Sequence, residues 1–147
     1  MLKQLALPEP SEDNPDDQPF GRVIYGYSRA EAIDDGVLVD VSETAKEASF
    51  KLPVAITAAL HGRLTPTMAD HGLGQDYEGR LWDVLWLAAF TIKMADPGTD
   101  TVTFTVALQE ADAKSSRPQK IDLRLRTVCG PDDEGEPVIT IGFPEDF

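Results

Sequence analysis

The sequence is poor in the side chains from which most metal centres and nucleophilic active sites are built. It holds one cysteine, Cys129, and two histidines, His61 and His71. A single cysteine cannot close an internal disulfide, which fits a reducing compartment and argues against a secreted, stapled scaffold. The two histidines and the thiol fall short of the four ligands of a structural zinc site, and their spacing matches no zinc pattern. Long apolar runs are missing too. The most apolar segment, Leu81 to Phe90, is interrupted by Asp83 and is too short to span a bilayer. The opening MLKQLALPEP lacks the extended apolar stretch and cleavage site of a signal peptide, so a cytoplasmic protein is expected. No Gly-x-Ser-x-Gly elbow is present, and Gly72-Leu73-Gly74 lacks the remaining glycine and the preceding strand of a dinucleotide fingerprint. Asp132-Asp133-Glu134-Gly135-Glu136 lacks the ligand spacing and distal glutamate of a calcium loop. No catalytic residue, metal site or cofactor is assigned, and a non-enzymatic protein is expected.

Basic residues are also scarce. Against 26 Asp and Glu stand 13 Lys and Arg, a net charge of -13. Direct binding to nucleic acid or to an anionic membrane needs a basic surface and is disfavoured. The charge is unevenly placed. Residues 1–20 carry Glu9, Glu12, Asp13, Asp16 and Asp17 against Lys3 alone. Residues 130–147 carry Asp132, Asp133, Glu134, Glu136, Glu145 and Asp146 and no base. The stretch between is only mildly negative.

What is present is a globular pattern. A length of 147 residues suits one domain, and 41% apolar content suits a packed core. Residues 1–20, broken by prolines and rich in acids, read as a flexible arm, leaving a single domain over 21–147. Ser28-Arg29-Ala30-Glu31 is a capping box, and Gly36 stands where a left-handed helix end is expected. Residues 37–41 read as a strand, Ser42 as the N-cap of a second short helix, and Pro53 as the first residue of a third running to His61. Residues 62–76 read as a long loop, closed by Asp76 as cap of a helix from Tyr77 to Met94. In that helix Leu81, Leu85, Ala88, Ala89 and Ile92 recur at helical spacing. Trp82 and Trp86 lie beside them and are expected to pack into the core of a central buried helix. Tyr25 and Tyr27 are expected to pack the entry chain, and Cys129 to be buried. Period-two alternation marks strands over 101–108, 121–129 and 138–143. The expected fold is α+β: an antiparallel sheet of three to four strands packed against one long central helix, with short N-terminal helices.

Three stretches carry a family resemblance. They are Ile24-Tyr25-Gly26-Tyr27-Ser28-Arg29-Ala30-Glu31-Ala32-Ile33 leading into Asp35 to Val41; Gly79-Arg80-Leu81-Trp82-Asp83-Val84-Leu85; and Val128-Cys129-Gly130-Pro131 with Gly135 to Thr140. Together they resemble a family of small uncharacterised proteins encoded on bacterial plasmids, integrative conjugative elements and other mobile DNA. The resemblance implies a setting: small accessory proteins on mobile DNA often blunt host defences, and acidic ones do so by occupying a basic groove on their target. The expected function is that of an inhibitor of a nucleic-acid-targeting defence system, of anti-CRISPR or anti-restriction type. Its contacts would be Asp132, Asp133, Glu134 and Glu136, helped by the N-terminal acids, against a protein partner with a basic surface such as a CRISPR effector or restriction complex. The alternative is a regulatory or structural accessory that binds an element-encoded partner or itself, a reading that an apolar surface at Trp82 or Trp86 would favour. An enzyme with an unfamiliar site is the third.

Overall fold

The computed structural model describes residues 28–147. The acidic arm and the calls on Tyr25 and Tyr27 lie outside the described residues. Ser28 caps helix α1 (Arg29–Asp34) through the expected box: its hydroxyl accepts from the Glu31 amide and the Glu31 carboxylate accepts from the Ser28 amide. Gly36, at φ +81°, then turns the chain into β1 (Leu38–Asp40). A left-handed residue there costs a glycine nothing.

Helix α2 (Ser42–Glu47) follows, with Val41 rather than Ser42 at its N-cap. The Ser42 hydroxyl is used across the chain instead. It donates to Asp40 at 2.6 Å and accepts from the Val54 amide at 3.0 Å, which ties α2 to the next strand.

The segment expected to be a helix from Pro53 is first a strand, β2 (Val54–Thr57), and only then a helix, α3 (Ala58–Leu64). Every residue of β2 is buried. A fully buried strand has no polar alternation to reveal it, and Val-Ala-Ile-Thr is a short apolar run that either element could use. Thr57 ends the strand and caps α3, its hydroxyl accepting from the Leu60 amide. The expected loop over 62–76 holds a further short helix, α4 (Met68–Gly72), capped by Thr67 with Asp70 completing the box. Asp76 caps α5 (Tyr77–Met94) as expected, accepting from the Gly79 amide at 2.7 Å.

Strands β3 (Thr101–Ala111), β4 (Pro118–Pro131) and β5 (Pro137–Gly142) complete the chain, followed by a 3-10 turn over Pro144–Asp146. The sheet has five strands in the order β1-β2-β5-β4-β3. It is mixed rather than antiparallel: β2 pairs β5 in parallel, while the other three pairings are antiparallel. Joining parallel neighbours needs a long crossover, and here α3, α4, α5, β3 and β4 all lie within it.

One sheet face carries Val54, Ile56, Phe104, Val106, Leu108, Leu123, Leu125, Ile139 and Ile141, packed beneath α2, α3 and α5. The opposite face buries Ala55 and Leu38 against Ala32 of α1. Among the described residues no helix is long and apolar enough to cross a membrane.

Candidate protein-binding surface

Helix α5 presents two apolar faces. Leu81, Val84, Leu85 and Ala88 form the inner one and are essentially inaccessible. Trp82, Trp86, Phe90 and Met94 repeat every four residues along the outer side, at 37%, 53%, 50% and 71% exposure. Both tryptophans were expected in the core. The structure instead leaves them on the surface, because one helix can turn only one face to one sheet, and the inner four residues already fill it. The Trp86 and Phe90 rings stack with centroids 5.8 Å apart and planes 2° from parallel. Fully burying an aromatic side chain is worth about 1.5–3 kcal/mol, so each half-exposed ring leaves roughly 1 kcal/mol available to a partner. Beside the stripe, the end of α2 forms the far wall of a groove of about 220 Å³, with Glu47, Ala48 and Ser49 opposite Trp82, Trp86 and Phe90. On the other flank Asp83 has its pKa pushed up by burial. Carboxylate and lysine, Asp83 and Lys93, thus border an apolar centre, the usual layout of a contact surface.

The four acids of the expected site sit together in the β4–β5 connection, but they do not act alike. Asp132 accepts at one carboxylate oxygen from the Glu134 and Glu136 amides, both at 2.9 Å, and so shapes the turn. Asp133 accepts from the Arg29 amide at 2.7 Å and the Ala30 amide at 3.0 Å. It therefore satisfies the first amides of α1 and fixes that helix to the hairpin. The Arg29 side chain reaches in the same direction, donating to Thr140 Oγ1 at 2.7 Å and to the Ile139 carbonyl at 2.9 Å. Burial lowers the Arg29 pKa, with Asp40, Asp132 and Asp133 opposing that shift. Glu134 and Glu136 are exposed. Two of the four acids are thus engaged in holding the fold.

The histidines, the cysteine and the buried Arg80–Asp70 pair are each accounted for by packing or by exposure. His61 Nδ1 lies 2.8 Å from the Tyr77 hydroxyl, packing α3 on α5. His71 is exposed on α4. Arg80 is buried with Asp70, 3.4 Å away, and also donates to the Gln109 carbonyl at 2.8 Å. Asp70 in turn accepts from the Ala111 amide at 2.7 Å and the Thr67 amide at 3.0 Å. These bonds, the Ala111 amide foremost, hold its pKa at about 2. Arg80 and Asp70 clamp α4 and α5 to the end of β3, a structural task. Cys129 is half-buried rather than fully buried. Among the described residues no three His, Cys, Asp or Glu side chains gather as a metal site.

A sequence family described as a family of unknown function, DUF6573, matches residues 20–147. The chain belongs to this family. The DUF6573 match includes α5, its exposed stripe and the acidic hairpin, and begins beyond most of the acidic arm. No curated protein and no solved structure matches the chain.

The outer stripe was missed in the sequence. Its signal was there in the spacing 82, 86, 90, 94, a second apolar line alongside the first. Apolar residues on more than one side of a helix suit burial all round, and they equally suit a helix with one face turned to a partner.

Proposed function

We propose that this chain is a non-enzymatic, protein-binding accessory of mobile DNA whose contact surface is the outer stripe of α5. The observation that carries the reading is the run of Trp82, Trp86, Phe90 and Met94 left exposed on an otherwise well-packed helix. Tryptophan is the residue most enriched at binding hot spots, and stacked rings beside a groove are rigid anchors that lose little entropy on contact. The mobile-DNA setting is supported by the resemblance of the stretches around Tyr25–Val41, Gly79–Leu85 and Val128–Thr140. The partner fitted by this surface is a protein that offers an apolar ridge to the groove between α5 and the end of α2, rather than a basic nucleic-acid channel.

The defence-inhibitor reading keeps one specific support. Glu134 and Glu136 are exposed at the tip of the hairpin and remain available to a basic partner. Affinity capture from a host carrying the element, with tagged variants, separates the two. The stripe reading expects a partner that is lost with Trp86→Ser/Phe90→Ser and kept with Glu134→Lys/Glu136→Lys. It also expects the complex to survive high salt, whereas an acid–base contact weakens as salt screens it. Loss of the partner with the charge reversal alone would transfer the function to the hairpin. Sedimentation of the purified chain distinguishes a second copy from a different protein as the occupant.

A further inference from the structure

Strand β3 is an edge of the sheet, and it lacks the devices that keep edges from pairing. The other edge, β1, is three residues long and ends on Asp40. Strand β3 runs for eleven residues in unbroken register with β4, and from Thr101 to Gln109 it holds no charged residue, proline or glycine. Shortness, charge, proline and bulges are the usual protections of an exposed edge. Which backbone groups of β3 face outward follows from the ladder. The Cys129 amide donates to the Asp100 carbonyl and the Asp112 amide to the Arg117 carbonyl, so the even-numbered residues exchange hydrogen bonds with β4. The odd-numbered residues then direct both N–H and C=O away from the sheet. At the far end these groups are taken up: the Gln109 carbonyl accepts from Arg80, and the Ala111 amide donates to Asp70. Among the described residues, nothing bonds to the outward backbone groups of Thr101, Thr103, Thr105 and Ala107.

We propose that β3 pairs with β3 of a second copy, antiparallel about a two-fold axis at Phe104, and so continues the sheet of one copy into that of the other. This register sets Thr101 opposite Ala107 of the second copy and Thr103 opposite Thr105. The four open positions of one chain thus meet the four of the other, and each outward N–H and C=O gains a partner. Charge favours a like strand as the occupant. A chain of net charge -13 meets its own copy with least repulsion along an uncharged segment, and 101–109 is one. The side chains match as well. On the solvent face exposed threonines meet threonines, a favourable cross-strand pair. On the α5 face Val102 comes opposite Val106, and Phe104 opposite Phe104. There a groove beside the edge, lined by Trp82, Asp83, Trp86, Leu87, Val106 and Ala107, receives the incoming apolar side chains. The groove on the α2 side of the tryptophans, where Phe90 lies, stays open to the partner proposed above. A two-fold contact closes on itself, and β1 is too short to extend the sheet, so assembly stops at two copies. The pairing rests on backbone groups of β3 and does not depend on what docks on the stripe.

The test uses the full chain, by sedimentation equilibrium from micromolar to millimolar concentration and by residue-resolved amide exchange. A monomer–dimer equilibrium is expected. The Thr103, Thr105 and Ala107 amides are expected to exchange slowly in the dimer and fast on dilution, whereas the Phe104 and Val106 amides, bonded to β4, stay slow in both. Thr105→Pro removes an outward donor that the chain's own ladder does not use, a position where an edge strand tolerates proline. It takes one hydrogen bond from each side of the axis and is expected to weaken the dimer about thirtyfold, the value of two net hydrogen bonds. Should it fail to fold, Thr103→Lys/Thr105→Lys changes only exposed side chains, sets lysine opposite lysine twice across the axis, and is expected to give a monomer. Phe90→Ser is expected to leave the dimer intact while weakening capture of the stripe's partner, so the two readings fail separately. The inference is overturned if the chain is monomeric throughout the range. It is equally overturned if a dimer forms in which the Thr103, Thr105 and Ala107 amides exchange as fast as in the monomer. A dimer that is lost with Phe90→Ser and kept with Thr105→Pro would place the second copy on the stripe instead.

Discussion

At the scale of single residues, the acids in this chain divide by what their oxygens touch. Asp70 is buried, bonded to two backbone amides and paired with Arg80. Asp70→Ala leaves Arg80 buried without its carboxylate and is expected to cost about 3 kcal/mol, measured by urea denaturation. The pH dependence has a definite sign. The folded pKa of about 2 lies below the ordinary 3.8, so the stabilisation is complete above pH 3.8 and is lost as pH falls toward 2. The difference between wild type and Asp70→Asn should therefore shrink through that window. In the hairpin, Asp133→Ala removes the acceptor for two amides at the start of α1 and is expected to destabilise by about 1–2 kcal/mol. Glu134→Ala, at an exposed position with no such bond, is expected to change stability by less than about 0.5 kcal/mol. Equal effects at the two positions would contradict the division of the hairpin acids into holding and free groups. None of this was legible from the sequence, where Asp132, Asp133, Glu134 and Glu136 form one uniform acidic run. Side-chain type gives the charge; the turn geometry engages Asp132 with the Glu134 and Glu136 amides, and the tertiary position of α1 engages Asp133.

Elements were easier to read when their pattern was local. The α1 capping box, the Asp76 cap of α5 and the alternation of β3 and β4 all depend on neighbours a few residues apart, and all are found where expected. What escaped depends on distant partners. Strand β2 is defined by lying between β1 and β5, with Val54 opposite Ile139 and Ile56 opposite Ile141. Burial on both faces erases the period-two signal that exposed β3 displays. The same crossing of β2 and β5 explains a glycine. A Cβ at Gly142 would lie 2.5 Å from Thr57 Cγ2 and 2.8 Å from the Asp146 carboxylate. That carboxylate accepts from both the Thr57 hydroxyl, at 2.7 Å, and the Phe143 amide, at 2.9 Å, and so fastens the C-terminal turn to the end of β2. Gly142→Ala is expected to cost about 1–3 kcal/mol through overpacking. A thermal midpoint equal to wild type would show that Thr57 and Asp146 have room to move.

At the scale of the whole molecule, the densest acidic run of the described residues, the β4–β5 hairpin, and the apolar stripe lie on different elements. The net negative charge concentrates, along the sequence, in residues 1–20 and 130–147, whereas the apolar stripe lies on α5. Composition alone pointed to the acids, since a net charge of -13 is visible at once and an exposed helix face is not. What the chain does turns on which of these surfaces meets the partner. The chain has two tryptophans, Trp82 and Trp86, and both lie on the stripe, so indole fluorescence reports on that surface alone. The most direct measurement is acrylamide quenching of this emission in the isolated chain and in its purified complex with the captured partner. The account predicts quencher-accessible indoles in the isolated chain, and a blue shift with marked protection in the complex. Emission and quenching that stay the same on complex formation would contradict it and return the contact to the acidic hairpin.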